Sequence, residues 1–518
     1  MRTIHILFFL MLLGGLYSCM DGLEVVPENS VTFENYFKTE KDLETSVDAI
    51  RDAFRSACAF DAYKRPVELG YLYDTVSKGT SNLLNWDETQ FTPQMVDMFW
   101  NSQYTVICLA NILSENLWRA KLPKEREAYY EGQVHFYRAF TYFRIAQKWG
   151  EAPMQTDSRD IGKKEKSSVG NILQYALDEI NTAVRLLPCR EELIDAGGAK
   201  IAGKSTASKE IAQALKLDIC LWKAVINREP ELLKEALSAA NFVIDSCEYV
   251  LAANPEEVCE KVITGGSDEG IFEIKYNYLE STRNPWTTMI YFVSFPIRPE
   301  QGRGEIKNAD ARFFQKTVEK IYPGRFDGAI ADGKYTGDRR RLAYFYDLDT
   351  IARNEEWRKL AGGYAYPYKF RKVQLGTSGW GEGKFESFAC DHVIYRLADI
   401  ILLRAECLVR MGKNDLAIKD LNRIRQRAYG DKSADYSADE GDLRYAIFKE
   451  REKELLWEGK RWYDIVRNGY WKTELSDFHA TKMTQQDVDD GALYMPVGWP
   501  AFENNSLMTQ NKYWLKRY

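Results

Sequence analysis

RMGKNDLAIKDLNRIR, residues Arg410–Arg425, carries the spacing on which the fold turns. Gly412 ends one helical run, and Ala417, five residues on, is small enough to let a second helix pack closely against the first. Helical order begins at His392 and continues to about Asn468. Two packed helices joined by a short turn are the expected unit.

The same unit recurs on the N-terminal side. Thr39 and Asp42 form a capping box that opens a helix with Leu43, Val47, Ile50 and Phe54 on one face. Trp100, Tyr104, Ile107 and Asn111 fit one helix; Tyr129, Gly132, Phe136, Ala139, Phe140 and Phe143 fit the next, which Gly150 and Pro153 terminate. A further pair runs from Leu173 to Leu187 and from Ile211 to Val225, followed by a helix through Leu233, Ala236, Ala240 and Val243. The Gly412–Ala417 spacing resembles a tetratricopeptide repeat, and paired helices in both halves predict a mainly α fold. The expected architecture is a tetratricopeptide-like helical-repeat superhelix, with a loop-rich variable region containing short strands. Unrelated helical hairpins are the alternative, because the repeat spacing is clear only once. From about 251 to 390 the chain is rich in Gly, Pro and aromatic residues, with strand-like runs such as GIFEIKY at Gly270–Tyr276.

Length and charge narrow the function. The chain has 518 residues, 45% apolar and 28% charged, the balance of a protein that folds in water. Seventy basic and 76 acidic side chains leave a net charge of -6, which offers no footprint for nucleic acid. Four histidines, one of them His5, supply a metal site poorly. Arg2, the apolar run Ile6–Leu13 and the small residues after it describe an export signal, too short to span a membrane. Leu16, Tyr17, Ser18 and Cys19 resemble a bacterial lipobox, although Tyr17 stands where a small residue is usual. Cys19 would then carry acyl chains that hold the protein at a membrane surface; a plain secretory signal is the other reading. Cys58, Cys108, Cys189, Cys220, Cys247, Cys259, Cys390 and Cys407 show no C-x-x-C spacing, and most read as buried small hydrophobes.

Several landmarks follow one another in order: CMDGLEVVPENSVTFENYF, WNSQYTVICLANIL, EGQVHFYRAFTYFRIAQKWGEAPM, SDEGIFEIKY, GDRRRLAYF, YRLADIILLRAECLVRMGKNDLAIKDLNRIR, EREKELLWEGKRWYDIVRNG and TQNKYW. This succession resembles the SusD/RagB family of outer-membrane lipoproteins and covers nearly the whole mature chain. The resemblance implies a signal peptide over 1–18, a lipidated tether over 19–35 and a single domain over 36–518. Within that domain a helical scaffold at 36–250 and 391–518 would support a variable ligand-binding region at about 251–390. It further implies four tetratricopeptide-like units and a cell-surface lipoprotein, anchored in the outer membrane through Cys19. Such a protein binds oligosaccharide and delivers it to a SusC-like TonB-dependent transporter; a RagB-like peptide binder with the same partner is the alternative.

The family motif in EREKELLWEGKRWYD, Glu450–Asp464, reads as structural. Arg451, Glu454, Glu458 and Arg461 lie three or four apart and are expected to pair along a helix. Interleaved arginines would keep Glu450 and Glu454 ionised, so neither would serve as a general acid. Arg138, within an apolar helix, is expected to bind a carboxylate or helix-end carbonyls. No G-x-S-x-G or H-E-x-x-H occurs, GWGEGKF at Gly379–Phe385 lacks the pattern of a phosphate loop, and no enzymatic activity is expected.

The chain holds 31 Tyr, 25 Phe and 13 Trp. Sugars present apolar C–H faces and hydroxyl rims, so a binder needs aromatic plates beside amide, carboxylate or guanidinium groups. Three turn-rich stretches combine these. The first offers Tyr71, Tyr73, Asp74, Asn82 and Trp86; the second Tyr278, Arg283, Asn284, Trp286 and Tyr291; the third Trp357, Tyr364, Tyr366, Tyr368 and Trp380. No catalytic residue, metal ligand or cofactor is assigned, and a Ca²⁺ ion bridging the ligand is left open.

Overall fold

The computed structural model describes residues 36–58, 76–78, 100–160, 162–275, 311–323, 330–331, 334–335, 337–346, 348, 355, 362–376, 379, 382–383, 385–475 and 483–516. Eight helices pack as four successive pairs: α1 (Glu40–Ala57) with α2 (Trp100–Asn116), α3 (Lys124–Lys148) with α4 (Val169–Leu186), α5 (Lys209–Ile226) with α6 (Leu233–Asp245), and α7 (Leu397–Arg410) with α8 (Asn414–Tyr429). Each pair also touches the next, so the apolar stripes of neighbouring units are covered in series. Two further helices, α9 (Leu443–Glu454) and α10 (Arg461–Asn468), close the C-terminal end.

Local chemistry sets these elements. The α1 capping box forms: the Thr39 hydroxyl accepts from the Asp42 N–H at 3.2 Å, and the Asp42 carboxylate accepts from the Thr39 N–H at 2.8 Å. At the hairpin turn Gly412 takes φ +73°, a left-handed conformation that costs glycine little, and Ala417 is fully buried under α7. Gly132 answers to crowding instead. A Cβ there would approach Leu187 Cδ2 to 2.8 Å, so α3 and the end of α4 meet only across a missing side chain. Cys220, Cys259, Cys390 and Cys407 are buried, whereas Cys58, Cys108, Cys189 and Cys247 are half-buried.

Two expectations are corrected. Helical order does not begin at His392: HVIYR, His392–Arg396, is a strand, and the helix starts at Leu397. The β-favouring Val393, Ile394 and Tyr395 find a distant partner in GIFEI, so the strand β2 (Gly270–Ile274) pairs antiparallel with the strand at His392–Arg396. From β2, Phe272 enters the helical core, 5.9 Å from Phe54 and 5.5 Å from Phe136 between ring centres.

Nor does EREKELLWEGKRWYD form one helix. α9 ends at Glu454 and α10 begins at Arg461; between them Trp457 (φ +59°) and Gly459 (φ +74°) turn left-handed. Trp457 is thereby delivered to a second core under the loop-rich region, 5.2 Å from the Phe313 ring and 5.6 Å from Phe345. The interruption prevents the expected pairing along a helix, and each charge finds a remote partner instead.

Candidate ligand-binding site

Tyr71, Tyr73, Asp74, Asn82, Trp86, Arg283, Trp286, Tyr291, Trp357, Trp380 and the lipidation candidate Cys19 lie outside the described residues, as do Tyr278 and Asn284. The strands beside them are described. β1 (Val76–Lys78) pairs antiparallel with β3 (Ala311–Phe313), Val76 opposite Phe313 and Lys78 opposite Ala311. Phe314 bridges to Tyr364, and the Ala365 N–H donates to the Phe313 carbonyl at 2.7 Å. Segments from the first and the third aromatic stretch therefore meet along β3.

A cavity of about 230 Å³ lies between the last turns of α1, the middle of α3 and the end of β2. Phe54, Tyr137 and Phe272 back it, with Phe54 and Tyr137 edge to face at 5.2 Å. Arg51, Asp52, Arg55 and Lys275 supply charge around it. These positions follow from helical spacing, since Arg51 and Arg55 share one face of α1. Arg51 donates to Thr206 Oγ1 at 2.7 Å and pairs with Asp48; Arg55 pairs with Asp52 at 3.1 Å. Burial opposes the charge on Arg51, but its neighbours, among them the Asp48 carboxylate with which it pairs, outweigh burial and raise its pKa. Burial pushes the Tyr137 hydroxyl up, so it stays a neutral phenol, donating to the Ser205 carbonyl at 3.4 Å. The rings back the cavity from inside the core and are closed to solvent, so what it offers a polyhydroxylated ring is hydrogen bonding from the guanidinium, carboxylate and ammonium groups at its rim.

The motif glutamates are spoken for. Arg396 donates to Glu454 at 2.7 Å, to Glu458 at 2.7 and 2.8 Å and to Glu269 at 2.6 Å; Arg340 reaches Glu454 at 3.2 Å and Glu450 at 2.7 Å; Lys369 reaches Glu458 at 2.5 Å. Burial alone would raise these carboxyl groups, yet Arg427, Arg396 and Arg340 hold Glu454 well below the usual range, and Arg340 lowers Glu450. Permanently ionised groups locked in ion pairs do not act as general acids. Arg451 meets Asp399 at 2.8 Å and Asp464 at 2.9 Å, and Arg461 meets Glu452 and Glu474 at 3.0 and 2.8 Å. Arg138 takes its expected place, donating to Glu179 at 2.7 Å.

Residues 304–514 match the SusD family model, and residues 38–210 match a second model described as starch-binding and associating with the outer membrane. The chain belongs to the SusD/RagB family. Among relatives of this SusD-like chain, SusD-like protein P38 of Formosa agariphila is 24% identical, over 90% of this chain and 91% of its own. A solved SusD homolog from Bacteroides thetaiotaomicron superposes with TM-score 0.73 at 21% identity, covering 92% of this chain and 99% of its own. A laminarin-binding SusD-like protein superposes with TM-score 0.69 at 19% identity, over 92% and 99% of the two chains. These likenesses establish the shared helical fold.

Sequence reasoning passed over Arg51, Arg55, Phe272 and Lys275. Their one local signal is position, at the end of an element that leads into an aromatic-rich stretch. A solvated helix carries arginines at the same spacing, so the cavity had to be seen to be found.

Proposed function

We propose that this SusD-like protein captures an oligosaccharide at the cell surface and passes it to a SusC-like TonB-dependent transporter, held at the outer membrane by acyl chains on Cys19. The observation that carries the reading is the aromatic-backed, guanidinium-rimmed cavity at the end of α1 and β2, on a scaffold of a family described as starch-binding. The laminarin-binding relative is a further support. The protein acts by binding and not by catalysis, in keeping with the arginine-locked glutamates of the family motif. Among the described residues no helix is long and apolar enough to cross a membrane, and attachment through the lipid on Cys19 is part of the proposal. Tyr71, Tyr73, Asp74, Asn82, Trp86, Arg283, Trp286, Tyr291, Trp357 and Trp380 are proposed as the ligand residues.

Calorimetry against a panel of host and plant glycans tests this, with Trp86→Ala, Trp286→Ala and Arg55→Ala beside the wild type. At least one glycan should bind, and the tryptophan variants should lose it. A panel without a single binder removes the reading.

A further inference from the structure

We propose that a row of tyrosines on the loop-rich half forms a second, elongated glycan surface that takes a linear, uncharged chain; the proposal rests on the oligosaccharide-binding reading above. Tyr364–Tyr368 runs extended between two other segments, bridging antiparallel to Phe314 at Tyr364 and to Phe345 at Pro367. The Gln315 N–H donates to the Gly363 carbonyl at 2.9 Å, the Tyr346 N–H to the Tyr366 carbonyl at 2.9 Å, and the Tyr368 N–H to the Tyr344 carbonyl at 2.7 Å. Alternate side chains of an extended segment face opposite ways. Here Ala365, Pro367 and Lys369 are buried, whereas Tyr364, Tyr366 and Tyr368 all stay partly open to solvent.

Three phenol rings thus share one side, with origins about 6.6 Å apart along the chain. Neighbouring rings widen the row. Tyr364 lies against Phe314 at 5.0 Å and 34°, and Tyr368 meets Tyr346 edge to face at 5.3 Å. The strip is also firmly held, because the buried Lys369 ammonium donates to the carbonyls of Glu454 and Leu456 at 3.1 and 3.0 Å. A surface fixed before binding loses little entropy on taking a ligand.

At one end the row runs into an open basin. Arg371 stands 4.5 Å over the Tyr368 ring and pairs with Glu260 at 3.1 Å, and Glu260 lines a hollow of about 570 Å³ framed by 250–253 and 257–269. Glu257, Glu260 and Asp268 line it with Lys261, and Arg371 stands at its edge, so three carboxylates meet two cations. Carboxylates accept from sugar hydroxyls but repel uronate or sulfate groups. Shape selects an elongated chain, and charge selects a neutral one.

Calorimetry with malto- and laminari-oligosaccharides, disaccharide through heptasaccharide, and with uronic-acid chains of matched length, tests the proposal. Wild-type affinity should rise with length for a neutral series. The Tyr364→Ala, Tyr366→Ala double variant should bind the heptasaccharide roughly tenfold more weakly, about 1.4 kcal/mol, with the disaccharide unaffected, and Tyr366→Phe should behave as wild type. Glycan binding that ignores both length and the double variant, or that favours uronate chains, overturns the tyrosine row and leaves the first site standing. No binding of any chain by the wild type overturns both. Circular dichroism of each variant separates lost stacking from lost fold.

Discussion

Replacing Arg396 by Met tests whether the buried ion network joins the helical scaffold to the loop-rich half. The guanidinium is 1% exposed, and all five of its donors are engaged: Nε with Glu458, Nη1 with Glu269 and Glu454, Nη2 with Glu458 and the Glu454 carbonyl. Burial opposes its charge, but Glu458 and Glu454 hold the proton well above the usual range. Methionine keeps the stem and removes every donor. Glu454 then retains Arg340 and Arg427, Glu458 retains Lys369 and Glu269 retains Arg427, so no carboxylate is left wholly bare. Removing one partner of a buried pair costs about 3–5 kcal/mol. With about 2.1 cal/mol/K of unfolding entropy per residue, a chain this long has an unfolding entropy on the order of 1 kcal/mol/K, so Tm should fall by about 3–5 °C. Differential scanning calorimetry and urea titration measure this. Arg396→Lys restores one charge without the planar fork and should recover only part of the loss. An Arg396→Met protein within about 1 kcal/mol of wild type refutes the claim that this cluster ties the two halves together.

Acid should weaken the fold in a defined window. Against the pull of burial, Lys460 and Arg451 hold Asp399 at about 2, and Lys449 and Arg461 hold Glu474 at about 2. Carboxyl groups lowered in the folded state contribute stability that is present above their unfolded values near 4 and lost as pH falls toward 2. Urea midpoints should therefore drop between about pH 4 and about pH 2, and a flat profile there would contradict the assignment. Gly132→Ala should cost about 1–3 kcal/mol, because the new methyl meets Leu187; unchanged thermal stability would mean that α4 shifts freely. Thr39→Ala removes one half of a capping box and should cost about 1 kcal/mol by chemical denaturation. Arg55→Ala should weaken glycan binding with little change in Tm, since its pair with Asp52 is partly solvated; unaltered affinity would exclude Arg55 from the site.

Local chemistry made much of the frame readable. The capping residues of α1, the apolar stripe of α3, and Gly412 with Ala417 act within one or two helical turns, where spacing alone dictates which side chains share a face. The role of Arg138 was legible for the same reason, since a lone cation on an apolar face requires a buried partner. Where reading by spacing failed, a distant segment had intervened. HVIYR became a strand because GIFEI lay beside it, and EREKELLWEGKRWYD broke because Trp457 was worth burying in a core built from residues far along the chain. Spacing of three or four offered Arg451 a glutamate, but the tertiary structure gave it Asp399 and Asp464. Sequence periodicity by itself determined the helices, because those depend on neighbours in the chain; it did not determine their pairing, since 173–187 and 211–225, expected as one pair, pack into two different pairs. Which charges meet, where the chain turns left-handed and what surrounds the cavity at Arg51 were decided only in three dimensions, because ion pairs and burial answer to distance in space.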